Sequence, residues 1–186
     1  MGAALERQDV TVGLRRAEAT NEHLIKIVFE LTGAQAMGDI TTETIWAEQL
    51  EANAFKVMNT PFHITGLSFQ DVVSARPLPA PERLFGFDRV LRKSGRSTYR
   101  LFVYPDTTLV DFLTAWKRFE ALGCSYEQAR GALSALYAID VPITADIGQV
   151  QGLLREGYEG SLWDVEEGDC AHPLEAQAPD AGGAEA

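Results

Sequence analysis

The chain has 186 residues, is 46% apolar and 23% charged, and carries a formal net charge of -11. That composition belongs to a folded water-soluble chain and excludes disorder throughout. No run approaches the roughly 18 consecutive apolar residues of a membrane helix, and charges interrupt the first residues where a secretory segment holds its apolar run. A cytoplasmic protein with no membrane partner is therefore expected. Glu6 stands where a myristoylation signal prefers Ser or Thr. Cys124 and Cys170 read as two reduced thiols. The acidity is uneven: nine of the 27 acidic residues lie from Glu156 onward, where there is no Lys or Arg. A nearly balanced body with an acidic end disfavours nonspecific nucleic-acid binding, which needs a broad basic footprint.

Residues 1–22 lack a sustained period and read as a mobile arm. Order is expected from His23, with a half-buried strand over 23–31, a loop over 33–39, and strands over 43–50 and 54–58. The stretch 59–73 packs a Pro-led turn at Pro61, a Gly at Gly66 and a strand signal into one run, so it reads as a compact loop feeding a strand over 71–76. Pro77, Pro79 and Pro81 should end that strand. Another follows over 84–92, with a turn at 93–96. Short strands with Gly, Pro and Asn turns over 23–95 predict a small β domain, a barrel or a bent antiparallel sheet.

The second half changes period. A strand over 97–104 is followed by Leu109, Phe112, Leu113, Trp116, Phe119 and Leu122 at helical spacing, with Gly123 as the stop and Trp116 and Phe119 facing the sheet. Strands over 124–128 and 135–141 precede a second helix, capped by Asp146, whose stripe is Ile147, Val150, Leu153 and Leu154. A last strand is expected over 162–166. Residues 96–170 thus carry the βαββαβ order of a ferredoxin-like sandwich, and the fold class is α+β. The Ala, Gly, Pro and acid composition of 171–186 predicts a disordered tail.

Three blocks carry a family resemblance. Glu43-Thr44-Ile45-Trp46-Ala47, then Asn59-Thr60-Pro61-Phe62 with Gly66-Leu67 and Asp71-Val72-Val73, then Ser94-Gly95-Arg96-Ser97-Thr98 with Arg100 resemble the bacterial domain-of-unknown-function family numbered 4265 in letters and spacing. The resemblance runs over about 23–172, including Trp163-Asp164 and Glu166-Glu167-Gly168. It implies the same fold and a bacterial, cytoplasmic setting, and no established reaction. The family pattern leads one to expect His where this chain has Arg96, a change that keeps an anion contact and loses proton transfer.

Three sets of residues are candidate sites. Arg92, Lys93, Arg96, Ser97, Thr98 and Arg100 surround the Ser94-Gly95 turn, where guanidinium groups, hydroxyls and free N–H groups can hold a phosphate or carboxylate. His63 titrates near neutrality, with Asp71 as a candidate orienting partner, but such a His more often bonds its own loop, so no catalytic residue is assigned. Asp164, Glu166, Glu167 and Asp169, near Cys170 and His172, lack the ligand spacing of zinc or calcium sites, so neither metal nor cofactor is expected. These acids form a candidate surface for a basic protein partner; Trp46, Phe62 and Phe69 read first as core, and Phe62, His63 and Phe69 join that surface as anchors if they project from the loop. The leading expectation is a non-enzymatic binding module, an immunity or antagonist protein that occludes a basic active site. The alternative is a regulatory or catalytic domain for a small anionic ligand, a nucleotide or amino acid. A free sheet edge also admits a homodimer.

Overall fold

The computed structural model describes residues 24–35, 40–79 and 83–172. The expected arm, the tail beyond His172, part of the first loop and Pro81 lie outside the described residues. Strands β1 (Leu24–Glu30), β2 (Thr42–Glu51), β3 (Ala54–Val57), β4 (Val72–Pro77) and β5 (Leu84–Arg92) form a closed barrel in that order. All neighbours are antiparallel except β1 and β5, whose parallel pairing from Lys26 with Leu84 closes the ring. Alternation fills the interior: Ile25, Ile27 and Phe29 from β1, Ile45 and Ala47 from β2, and Phe55 and Val57 from β3 point inward together. One boundary differs from expectation, because β4 includes Pro77. The ladder continues there from the next residue, Leu78, whose N–H donates to the Leu84 carbonyl at 2.9 Å, so the missing Pro77 donor falls at a strand end.

The second unit runs β6 (Ser97–Val103), α1 (Leu109–Ala121), β7 (Ser125–Gln128), β8 (Leu136–Val141), α2 (Ile147–Glu159) and β9 (Trp163–Asp169). Its sheet has the order β7-β8-β6-β9 with antiparallel neighbours, the arrangement of a split βαβ unit. Thr108 and Asp111 form a reciprocal capping box on α1, and the Asp146 carboxylate accepts from Gln149 N–H to start α2. Phe112, Trp116 and Phe119 from α1 and Val150, Leu153 and Leu154 from α2 cover one sheet face around Trp163. Gly157 makes this contact close. A Cβ there would lie 2.0 Å from Trp163 Cζ2, and Trp163 Nε1 donates to the Leu154 carbonyl at 3.2 Å. No helix among the described residues is long and apolar enough to cross a membrane.

The opposite face of this sheet meets the loop between β3 and β4. Phe62 packs there with Phe102, Leu136 and Ala138, so the loop leaves the barrel and is buried against its neighbour.

Candidate functional site

The loop is built as a rigid connector. Asn59 Oδ1 accepts from Trp46 N–H at 2.8 Å, tying its start to β2, while Thr60 reaches Glu127 on β7 through its N–H at 2.8 Å and hydroxyl at 3.2 Å. After Pro61, which has no N–H, three successive amides converge on one carboxylate. Glu43 Oε1 accepts from Phe62 N–H at 2.7 Å, and Oε2 accepts from His63 and Ile64 N–H at 2.9 and 3.0 Å. Glu43 is only 8% exposed, so an internal side chain occupies what is otherwise an anion nest. Gly66, at φ +72°, turns the chain so that its N–H donates to the Gly168 carbonyl of β9 at 2.8 Å.

Arg100 of β6, 1% exposed, locks the same turn from the other side. One terminal nitrogen donates to the Ile64 carbonyl and the other pairs with Glu166 Oε1 at 2.9 Å. Two polar atoms at this place have no hydrogen-bond partner among the described residues: Arg100 Nε and His63 Nε2. Burial holds the His63 imidazole below its ordinary value. Glu43 pulls it up, Arg100 pushes it down, and Glu166 pulls it up more weakly.

A second cluster closes the seam beside Gly66. Asp71, fully buried, accepts from Ser68 N–H at 3.0 Å, Ser94 N–H at 2.7 Å and Lys93 Nζ at 2.7 Å. Lys93 also donates to the Gly66 carbonyl at 3.1 Å and pairs with Asp169, whose Oδ2 accepts from Ser68 Oγ at 2.7 Å. Partial burial works against the Lys93 charge, yet the bonds to Asp169 and Asp71 outweigh it and hold the ammonium above its ordinary value. Thr98 Oγ1 donates to Ser68 Oγ at 3.0 Å. Arg96 forms a two-pronged pair with Asp140 of β8, at 2.6 and 2.5 Å, and its guanidinium lies over the Phe69 ring at 5.4 Å. Ser97 Oγ meets His172 Nδ1 at 2.6 Å, and the other ring nitrogen lies 3.0 Å from the Pro142 carbonyl.

This geometry corrects two of the expected sites. Lys93, Arg96 and Arg100 are each paired with a carboxylate of this chain, Ser97 and Thr98 are fully buried, and Arg92 alone of that set is an exposed cation with no ion pair among the described residues, so the turn is not assembled as an anion site. Phe62, His63 and Phe69 are buried rather than projecting, as the core reading has it for the two aromatics; Phe62 packs on the second sheet and the Arg96 guanidinium covers Phe69. Asp71 holds Lys93 and the turn amides, with no bond to His63. Asp169 belongs to the seam, whereas Asp164, Glu166 and Glu167 stand exposed on β9, with Glu166 anchored to Arg100. The residues that sequence reading passed over are Glu43, Glu127 and Asp140. Glu43 left one signal: it shares the inward parity of Ile45 and Ala47.

The described residues gather no group of three or more His, Cys, Asp or Glu placed to hold a metal ion. A hollow of about 510 Å³ lies on the barrel wall between the β2–β3 bend and β4, lined by Glu51, Ser74, Arg76, Asp88 and Arg89 among others. Its charges are mixed, and Asp88 already pairs with Arg76 at 3.2 Å.

A crystal structure described as that of a hypothetical protein from Neisseria gonorrhoeae is similar to this chain, with a TM-score of 0.58 at 17% identity over 79% of this chain and 94% of that one. That likeness shows the fold. No curated protein sequence matches the chain. The family model described as "Domain of unknown function (DUF4265)" matches residues 43–165, from Glu43 under the loop through Asp140 to the first residues of β9, leaving out β1 and the Glu166 to Asp169 end of β9. The chain belongs to the DUF4265 family.

Proposed function

We propose that this chain is a non-enzymatic, cytoplasmic bacterial binding module that engages a basic protein surface through the acidic strand β9, as an immunity or antagonist protein does. The observation that carries the reading is the exposure of Asp164, Glu166 and Glu167 on an edge strand that pairs with β6 alone in its sheet. Glu166 is held in place by buried Arg100, which also offsets its charge, so the net negative potential of this edge comes from Asp164 and Glu167. Complementary charge at such an edge speeds encounter and fixes orientation. The cations of the Ser94-Gly95 turn are held by Asp71, Asp140, Glu166 and Asp169, which weakens the competing reading of a small anionic ligand at that turn.

The test uses Asp164→Asn with Glu167→Gln, leaving the Arg100 pair intact. Affinity capture from the native bacterium at low salt, wild type against variant, should show a basic protein retained by the first, released by salt, and lost from the second at unchanged melting temperature. Equal retention by both chains removes β9 as the contact. Stabilisation of the protein by a nucleotide or amino acid, lost in Arg96→Ala, would favour the ligand reading instead.

A further inference from the structure

We infer that His63 is a proton-operated latch: taking up a proton releases the 62–64 turn from the second sheet and uncovers Phe62. The imidazole is 5% exposed, and its Nε2 has no hydrogen-bond partner among the described residues. A neutral ring with a bare Nε2 suffers modestly in that place. A protonated ring brings an N–H with no acceptor and a full positive charge out of water.

The surrounding groups offset that charge only in part. Glu43 on β2 favours the charged ring more than any other group, but both of its oxygens already accept from the Phe62, His63 and Ile64 amides. Arg100 on β6 places a second cation against the same turn, with its own Nε unpartnered. Glu166 on β9 is committed to Arg100 at 2.9 Å and is itself exposed. These are the charged groups that act on His63 from the strands packed against it, and burial is the largest influence of all.

The bonds that would yield are contiguous. The Glu43 bonds, the Arg100 bond to the Ile64 carbonyl and the Phe62 contacts with Phe102 and Leu136 all involve residues next to His63 or His63 itself. Displacing the ring strains all of them, so the opening unit is the turn and not the barrel, whose ladders run elsewhere. In the loop-released state the imidazole returns to water, where it takes a proton near its ordinary value. Released and seated forms then differ by one bound proton. The released fraction rises by up to about tenfold per pH unit between the ordinary value and the lowered one.

Hydrogen exchange of the full chain, read by mass spectrometry and corrected for intrinsic chemistry, tests this between about pH 7.5 and about pH 5. Protection of peptides from 59–71 should fall several-fold or more relative to β1 and β2, and His63→Gln should abolish that dependence. Constant relative protection, or an equal loss in the variant, overturns the latch. A direct measurement on the wild type does not depend on the variant folding: NMR titration of His63 at or above the ordinary histidine value would also overturn it.

Discussion

Replacing Glu43 by Gln isolates the carboxylate beneath the loop with almost no change of shape. In the wild type Oε1 serves Phe62 N–H at 2.7 Å and Oε2 serves the His63 and Ile64 amides at 2.9 and 3.0 Å. The best orientation of a Gln keeps its carbonyl on the latter two and turns its NH₂ toward Phe62 N–H, donor against donor. One bond is lost outright, two lose charge assistance, and one amide is left buried and unsatisfied. Hydrogen bonds to charged groups contribute about 1.5–3 kcal/mol and a buried unpaired donor costs about 1–3 kcal/mol, so these overlapping losses amount to about 2–4 kcal/mol. For a chain of this size that lowers the melting temperature by roughly 5–15 °C. Urea unfolding monitored by tryptophan fluorescence gives the free energy, and amide exchange at Phe62, His63 and Ile64 locates it. A loss under about 0.5 kcal/mol, within the range of an ordinary surface substitution, would refute the view that this carboxylate holds the loop.

Asp140→Ala should cost about 3 kcal/mol by leaving the Arg96 guanidinium without its carboxylate, and adding Arg96→Met should recover most of that, because removing both charges of a buried pair is often neutral. Equal unfolding midpoints for the single and double variants would contradict this. Gly157→Ala should destabilise by at least about 1–3 kcal/mol, since the new methyl meets Trp163, whereas Gly152→Ala, with no atom within 4 Å of its Cβ position, should stabilise by about 0.5–1 kcal/mol; thermal melts distinguish the two signs. Burial pushes the Cys124 thiol up to about 12, with Asp140 adding to the rise and Arg96 opposing it, while Cys170 is more exposed. Iodoacetamide near pH 8 should therefore modify Cys170 well before Cys124 in the folded chain, as peptide mass spectrometry will show. His63 contributes an acid-sensitive part of stability: its lowered value in the folded state means the unfolded chain binds more protons just below the ordinary value. That contribution is complete above about pH 6.5 and declines as pH falls toward the lowered value, a slope that His63→Gln should remove from denaturation midpoints.

The elements were legible because their signals are local. Ile25, Ile27 and Phe29 alternate along β1, and Phe112, Trp116 and Phe119 recur along α1, so each segment declares its period within a few residues. The order βαββαβ then left few ways to arrange the second sheet. The site was less legible because its partners are remote in sequence: Glu43 meets residues about one barrel hairpin away, and Ser68 meets Asp169 at a separation of 101 residues. The turn residues were correctly seen as cationic, but periodicity cannot say whether Arg96 faces water or Asp140. Phe62 and Phe69 read as core from their size alone, but the groups that cover them, the second sheet and Arg96, are not visible in the local pattern.

The division of labour at the seam explains why so many charges are buried in so small a region. The apolar contact around Phe62 is made by a few side chains, and apolar contacts alone tolerate sliding. The polar contacts do not. The three amides on Glu43, the two-pronged Arg96–Asp140 pair and the Lys93 ammonium between Asp71 and Asp169 each require a direction as well as a distance. Buried pairs of this kind add little net stability; among the contacts that cross from the barrel side to the sandwich are Lys93 with Asp169 and Arg100 with the Ile64 carbonyl. Glu166 extends that arrangement to the surface: it is held from beneath by Arg100, which also grips the Ile64 carbonyl. Loosening the turn therefore removes one of the two bonds that orient Arg100, and with it part of the support beneath Glu166 on β9.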